Sequence, residues 1–294
     1  MQPVFRKIVI YGAGLIGGSF ALALRKAGAV GEVVGFGRSM TTLEAAKRLG
    51  ILDRIGRDEA REVRAADLIL VATPVAQMAD IFQRIAPHLG KQTLITDGGS
   101  TKGDVVAAGR VNLGEKLAQF VPAHPIAGAE KSGPEAALAD LYVGKRVVLT
   151  PLPENSQWAV AQVRKAWELC GANVSELNPA QHDEVFAAVS HLPHLLSFAL
   201  VHDLAQRDNR DQLLSFAASG FRDFTRIAGS SPEMWRDICL ANREALLREL
   251  LQYANELHGL YQALEQHDAA KLEAVFSEAR KVRKNTKITS ATST

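Results

Sequence analysis

Short apolar runs alternate with longer amphipathic stretches from Lys7 to about Leu177. IVIYG (8–12) is followed by a helical pattern over 15–28, VVGFG (33–37) by one over 41–49, DLILVATP (67–74) by one over 75–88, and TLITDGG (93–99) closes the series. Further strands are expected at 119–123, 146–151 and 172–177, with a helix near 156–170. Strands apolar at nearly every position are covered on both faces, so the pattern predicts a parallel, doubly wound α/β sheet. The rhythm stops after Asn178. Segments 179–190, 193–206, 210–219, 232–265 and 268–284 carry helical periodicity, interrupted by Pro193, by Asp208 to Asp211 and by the turn Gly229-Ser230-Ser231-Pro232. The expected organisation is a sheet domain over 1–177, an all-helical domain over 178–284, and a disordered polar tail over 285–294.

An unbroken helix over 232–265 would be roughly 50 Å long at about 1.5 Å per residue, longer than a small helical domain is wide. Leu246, Leu247, Leu250, Leu251, Leu257, Leu260 and Leu264 cover more than one of its faces. A second copy of the chain is the expected cover, giving a homodimer through the helical domain.

Composition narrows the function classes. The 294 residues are 47% hydrophobic, enough for a core in each domain, and carry a formal net charge of +2 with the basic residues dispersed. Neither nucleic acid nor an anionic membrane surface is an expected partner. The two cysteines, Cys170 and Cys239, lie in apolar helical surroundings that suit reduced core thiols. The apolar run behind Arg6 and Lys7 is strand-length and broken by glycine, so neither a signal peptide nor a membrane span is read there, and the cytoplasm is the expected compartment.

The first strand runs into Gly12, Gly14 and Gly17, spaced G-x-G-x-x-G, and a helix-forming segment follows. This context marks a Rossmann-type dinucleotide site: one glycine for the turn, one for approach of the pyrophosphate, one for helix packing, with Leu15 and Ile16 between them at the helix start. The second strand ends in Gly37, Arg38 and Ser39 where an acidic residue would bind a ribose diol. A guanidinium and a hydroxyl suit a 2′-phosphate, so NADP is favoured and NAD is retained as the second cofactor.

Polar residues just after strands are read as functional first, because such sheets bind ligands at their carboxyl ends. Thr73 and Pro74 are expected to flank the nicotinamide. Ser100 either reaches a substrate oxygen or caps the next helix. His124 lies between small residues and Pro125, in a loop that continues through Gly128, Ala129, Glu130, Lys131 and Ser132. A neutral imidazole there suits proton abstraction from a hydroxyl while hydride leaves the same carbon. In the helical part, Pro193 suits a first helical turn and would put His194 near the positive end of a helix dipole, favouring its neutral form. Arg222, Arg226 and Trp235 are candidates for gripping a carboxylate and excluding water, with core packing the competing role for Trp235. His182, Asp183 and Glu184 are consecutive, so they are expected to form a solvated helix start, and no metal site is expected.

The stretches GAGLIGGS, DGGSTKGDV, HPIAGAEKSG and SHLPH, followed by GFRDFTRIA and MWRD, resemble the prephenate/arogenate dehydrogenase family of tyrosine biosynthesis over about residues 7–280. The resemblance implies oxidative decarboxylation of prephenate or arogenate with hydride transfer to NAD(P). It implies that His124 accepts the hydrogen bond of the substrate hydroxyl and that Ser100 orients the same oxygen. It implies that Arg226 and His194 bind the carboxylate-bearing side chain, that the helical domain dimerises, and that Trp235 reaches the active site of the partner subunit. Gly37 and Arg38 depart from the acidic residue of many relatives. A β-hydroxyacid dehydrogenase is the competing enzyme, yet segment 178–220 holds no lysine for its chemistry. A dinucleotide-binding sensor without catalysis is the competing non-enzyme.

Overall fold

The computed structural model describes residues 3–128 and 131–286. The chain begins β1 (Phe5–Tyr11), α1 (Leu15–Lys26), β2 (Val30–Phe36), α2 (Met40–Arg48), β3 (Arg54–Ile55), α3 (Glu59–Ala65), β4 (Leu68–Val71), α4 (Met78–Ile85), β5 (Leu94–Asp97) and α5 (Gly103–Leu113). The five strands form one sheet in the order β3-β2-β1-β4-β5, every pair parallel. Alternation along β1 divides the core in two. Ile8 and Ile10 pack on one face with Phe20, Leu24 and Trp167, while Val9 and Tyr11 pack on the other with Val34, Ile69, Phe82 and Ile95.

The chain continues with β6 (Ala123–Pro125), β7 (Arg146–Leu149), α6 (Gln157–Leu169) and β8 (Asn173–Glu176). These strands do not extend the parallel sheet as expected. They form a separate three-stranded sheet in which β6 is antiparallel to β7 and β7 parallel to β8, and the segment leading into β6 makes an isolated parallel bridge from Phe120 to Ile95 of the large sheet. The expected strand 119–123 is replaced by a 3₁₀ turn over Gly114–Gln119 and the shorter β6. Pro122 and Pro125 offer no amide hydrogen and cannot sustain a ladder on both sides.

The helical part comprises α7 (Pro179–Phe186), α8 (Leu192–Ala205), α9 (Arg210–Ser215), α10 (Ser219–Thr225), α11 (Pro232–Ala241), α12 (Arg243–Glu265) and α13 (Ala269–Asn285). A capping box between Asn178 and Gln181, with Pro179 in the first turn, starts α7. A π-helical turn over Ala187–His191 joins α7 to α8 without a break, and such turns concentrate at functional sites. This run, Pro179–Ala205, has a window of mean hydropathy 1.4 and is long and apolar enough by length and composition to cross a bilayer. Its polar residues His182, Asp183 and His191 are instead buried within the protein.

The expected single helix over 232–265 is two helices. They break at Asn242, whose side chain is 5% exposed and donates to the Asp183 carbonyl and to His191 Nδ1, at 2.7 and 3.1 Å. By compactness the chain forms two units, Met1–Leu246 and Leu247–Thr294. In the second, α13 extends to Asn285, so the expected tail begins as helix, and residues 287–294 lie outside the described residues. Both cysteines are free thiols, Cys170 buried and Cys239 half-buried.

Candidate active site

The glycine motif forms an open cradle at the carboxyl end of β1. Gly12 has φ +92°, and a Cβ there would lie 2.5 Å from the Ala72 carbonyl oxygen. A Cβ on Gly17 would meet the Gly12 carbonyl oxygen at 2.1 Å, so only glycine lets α1 sit this close to the strand turn. Gly14 faces open space and starts α1 with no side-chain cap, leaving the helix amide hydrogens for an anion. These features fit the pyrophosphate of a dinucleotide. Leu15 and Ile16 are half-buried, and the Ile16 carbonyl is pinned by the Tyr142 hydroxyl at 2.6 Å. At the end of β2, Arg38 is exposed and, among the described residues, forms no ion pair. Ser39 caps α2, accepting from the Thr42 amide at 3.2 Å.

Three further strand ends converge on this cradle. Thr73 and Pro74 follow β4, and the Thr73 hydroxyl is buried with no protein partner. After β5, a Cβ on Gly98 would touch both Ile16 and Pro125, so the glycine-rich turn, this loop and the His124 loop are in contact range. Asp97 and Lys102 are both fully buried, with Lys102 Nζ 2.5 Å from Asp97 Oδ2. Asp97 also accepts the Gly99 and Ala123 amides at 2.8 and 2.9 Å, which fixes β6 beside β5. Ser100 is not the helix cap that was one of its two expected roles. The N-cap of α5 is Lys102, and the capping oxygens come from Asp183.

His124 lies within β6, 8% exposed, paired across the ladder with Val148. Its Nδ1 is 2.8 Å from His182 Nε2, and His182 Nδ1 is 2.8 Å from Asp183 Oδ1. Asp183 also accepts the Lys102 amide at 2.8 Å and the Gly103 amide at 2.7 Å. Phe186, one turn beyond His182, contacts both rings at 4.8 and 4.5 Å between centroids. Burial pushes the pKa of His124 well below the ordinary value, reinforced by His182, Lys102 and His191. The ring is therefore neutral at physiological pH and able to accept a proton.

His182 and Asp183 do not form the solvated helix start expected of them. They are 0% and 9% exposed, and only Glu184 faces outward. Asp183 meets the amino end of α5, which supplies two amide donors in place of water, while His182 meets His124. Sequence reasoning missed these two, together with Asp97, Lys102 and Asn242. No local signal marks them, because α7 also carries the exposed Gln181 and Glu184 and the partners of Asp183 lie some eighty residues upstream.

A second cluster surrounds the start of α8. His194 stacks on Trp235 with centroids 3.6 Å apart and planes at 20°. Its pKa is pushed down to about 4, first by burial and then by the charge of Arg226, against a hydrogen bond to the Ile227 backbone. The neutral ring agrees with expectation but the cause differs, because the π turn makes α7 and α8 continuous and leaves no free helix end at Pro193. His194 Nδ1 and Trp235 Nε1 are buried without protein partners. Arg226 opens the 3₁₀ turn Arg226–Gly229, whereas Arg222 is exposed on α10. The helix α11, which carries Trp235, packs against the turn Val75–Gln77 just after Thr73 and Pro74. Of the His124 loop, Gly128 and Lys131 are exposed, and Ala129 and Glu130 lie outside the described residues.

The family model for the prephenate dehydrogenase nucleotide-binding domain matches residues 20–176, and that for the prephenate dehydrogenase dimerization domain matches 178–278. The chain belongs to the prephenate dehydrogenase family. The cyclohexadienyl dehydrogenase of Zymomonas mobilis is 35% identical over 284 residues, 96% of each chain. The crystal structure of prephenate dehydrogenase from A. aeolicus in complex with hydroxyphenyl propionate and NAD+ superposes with a TM-score of 0.88 at 35% identity, covering 95% of this chain and 97% of that one. Synechocystis arogenate dehydrogenase does so with 0.80 at 30%, covering 95% and 99%. A nicotinamide dinucleotide cofactor follows for this family member, in keeping with the open glycine cradle.

Proposed function

We propose that this chain oxidatively decarboxylates prephenate or arogenate, with His124 as proton acceptor. The observation that carries this is the buried bond from His124 Nδ1 to His182, which leaves Nε2 as the nitrogen available to a substrate hydroxyl. A bound nicotinamide dinucleotide supplies the hydride acceptor. His124 Nε2 takes the hydroxyl proton as the carbon beneath it loses hydride and becomes a carbonyl. The ring carboxylate then leaves as carbon dioxide, its bonding electrons complete the aromatic ring, and His124 returns the proton to the phenolic oxygen. No net proton is consumed. Ser100 is assigned to orient the same oxygen. His194, Arg226 and Trp235 are assigned to the carboxylate-bearing side chain, with Arg222 at the rim, and the two unpartnered ring N–H or N positions of His194 and Trp235 support that assignment.

Gly12, Gly14, Leu15, Ile16, Gly17, Thr73 and Pro74 are assigned to the cofactor. Arg38 supports NADP over NAD, because it is an unpaired guanidinium at the end of β2, and Ser39 retains a hydroxyl hydrogen for a phosphate while capping α2. We also assign a homodimer. Leu247, Leu251, Leu257 and Leu264 on α12 and Phe276 on α13 are 48–66% exposed, an apolar surface that suits a second copy. The free thiols support a reducing compartment, the cytoplasm.

The test is initial rate with prephenate and with arogenate, each against NAD and NADP, following the reduced cofactor. Reduction with one or more pairs supports the assignment and ranks both specificities. Reduction with none of the four overturns it.

A further inference from the structure

We infer that Asp183 and His182 are positioning residues that hold His124 in the tautomer with a hydrogen on Nδ1 and the lone pair on Nε2. This rests on the assignment of His124 as proton acceptor and adds what prepares it. The direction of each hydrogen bond follows from the one group in the chain whose role is unambiguous. The Asp183 carboxylate accepts the Lys102 and Gly103 amides at 2.8 and 2.7 Å, so it is ionised and has only acceptors to offer. His182 Nδ1, 2.8 Å from Asp183 Oδ1, must therefore donate. A neutral His182 then has only a lone pair on Nε2, and His124 Nδ1, 2.8 Å away, must donate to it. The remaining nitrogen, His124 Nε2, is left without a hydrogen and without a partner among the described residues.

Neutrality of His182 is itself enforced by its surroundings. It is fully buried among charged and titratable groups: Asp183 and Asp97 favour the cation, Lys102 opposes it, and His124 and His191 are the neighbouring rings. Burial outweighs the carboxylates and lowers its pKa. His124 faces His182, Lys102 and His191, none of which favours a proton on it in the resting state. Phe186, packed against both rings, resists the half-turn that would exchange a ring nitrogen for a carbon. When His124 takes the substrate proton, its Nδ1–H stays bonded to His182, and the positive charge is opposed by Asp183 through that ring.

The experiment uses the intact 294-residue chain and four variants. In His182→Leu the acceptor for Nδ1–H is lost, and kcat is expected to fall about 30-fold or more with KM for substrate and cofactor within about threefold. In His182→Gln the amide oxygen can accept the same hydrogen, and most of that loss is expected to be recovered. In Asp183→Asn the NH₂ faces either the Gly103 amide or both the Lys102 amide and His182 Nδ1, and in the second case it drives the His182 hydrogen to Nε2 and forces His124 into the opposite tautomer; kcat is expected to fall about 10²-fold. The tautomer is also read without turnover, from ring ¹⁵N shifts of histidine-labelled protein, with His124→Gln supplying the assignment. Hydrogen on Nδ1 in the wild type supports the inference. Hydrogen on Nε2, a His182→Leu variant with kcat within threefold of wild type, or equal losses in the Leu and Gln variants accompanied by equal losses of Tm would overturn it. If the wild-type protein turns over neither substrate, the functional reading fails while the ¹⁵N shifts still decide the tautomer.

Discussion

Lys102 and Asp97 form an ion pair closed to water, with Nζ 2.5 Å from Oδ2 and both side chains fully buried. The pair sits at the turn from β5 into α5, beneath the loop that bears Ser100. Removing one partner strands the other as a buried charge. Lys102→Met is expected to destabilise the fold by about 3 kcal/mol or more and lower Tm by roughly 10 °C. The double variant Asp97→Asn/Lys102→Met is expected to recover part of that loss, and thermal melts of the three proteins check it.

His124→Ala is expected to reduce kcat about 10²-fold or more with cofactor affinity little changed, the outcome that the proposed proton transfer to its side chain requires. Steady-state kinetics with a separate cofactor titration reads both quantities. Full activity in this variant would remove His124 from the mechanism and leave the fold intact.

The motif glycines should separate folding from binding. A Cβ at Gly17 would lie 2.1 Å from the Gly12 carbonyl oxygen, so Gly17→Ala is expected to cost about 2 kcal/mol or more through overpacking. Gly14 faces open space, so Gly14→Ala is expected to melt within about 0.5 kcal/mol of wild type yet bind the dinucleotide about tenfold more weakly. Melting curves and cofactor titrations of both variants distinguish the two effects.

Arg38→Ala is expected to raise KM for NADP about tenfold and leave that for NAD nearly unchanged, since a charge-assisted bond to a 2′-phosphate is lost only with the phosphorylated cofactor. An equal effect on both cofactors would return Arg38 to the solvated surface.

His191 and His194 both have pKa values pushed down to about 4, chiefly by burial. Between about pH 6.5 and 4 the unfolded chain binds protons at these positions that the folded chain does not. Their contribution to stability is thus fully present above pH 6.5 and is lost as pH falls through that window. Tm measured from pH 7 to 4 is expected to drop, and His191→Gln is expected to flatten part of the drop.

The sequence showed the elements built on local pattern more fully than those built on exchange between distant segments. The glycine motif, the apolar strands and the helical run after Asn178 carry their own periodicity, and His124 stands out because a strand delivers it into a loop of small residues. Asp183 could not be read in this way, since its partners are amides of Lys102 and Gly103 some eighty residues upstream. Asn242 resembles an ordinary helical residue until its side chain is found bonded to Asp183 and His191, which is why the helix over 232–265 is broken there. The second sheet was obscured by Pro122 and Pro125, which shorten the strand that the apolar pattern suggests.

Asp183 joins parts of the chain that fold from separate stretches of sequence. The same carboxylate that closes the amino end of α5 orients the ring behind His124. A sheet domain that had not yet received α7 would hold its histidine with neither tautomer enforced. With His124 as the proposed proton acceptor, competence for proton transfer depends on this docking, so a partly assembled molecule would not spend oxidised cofactor on the wrong alcohol.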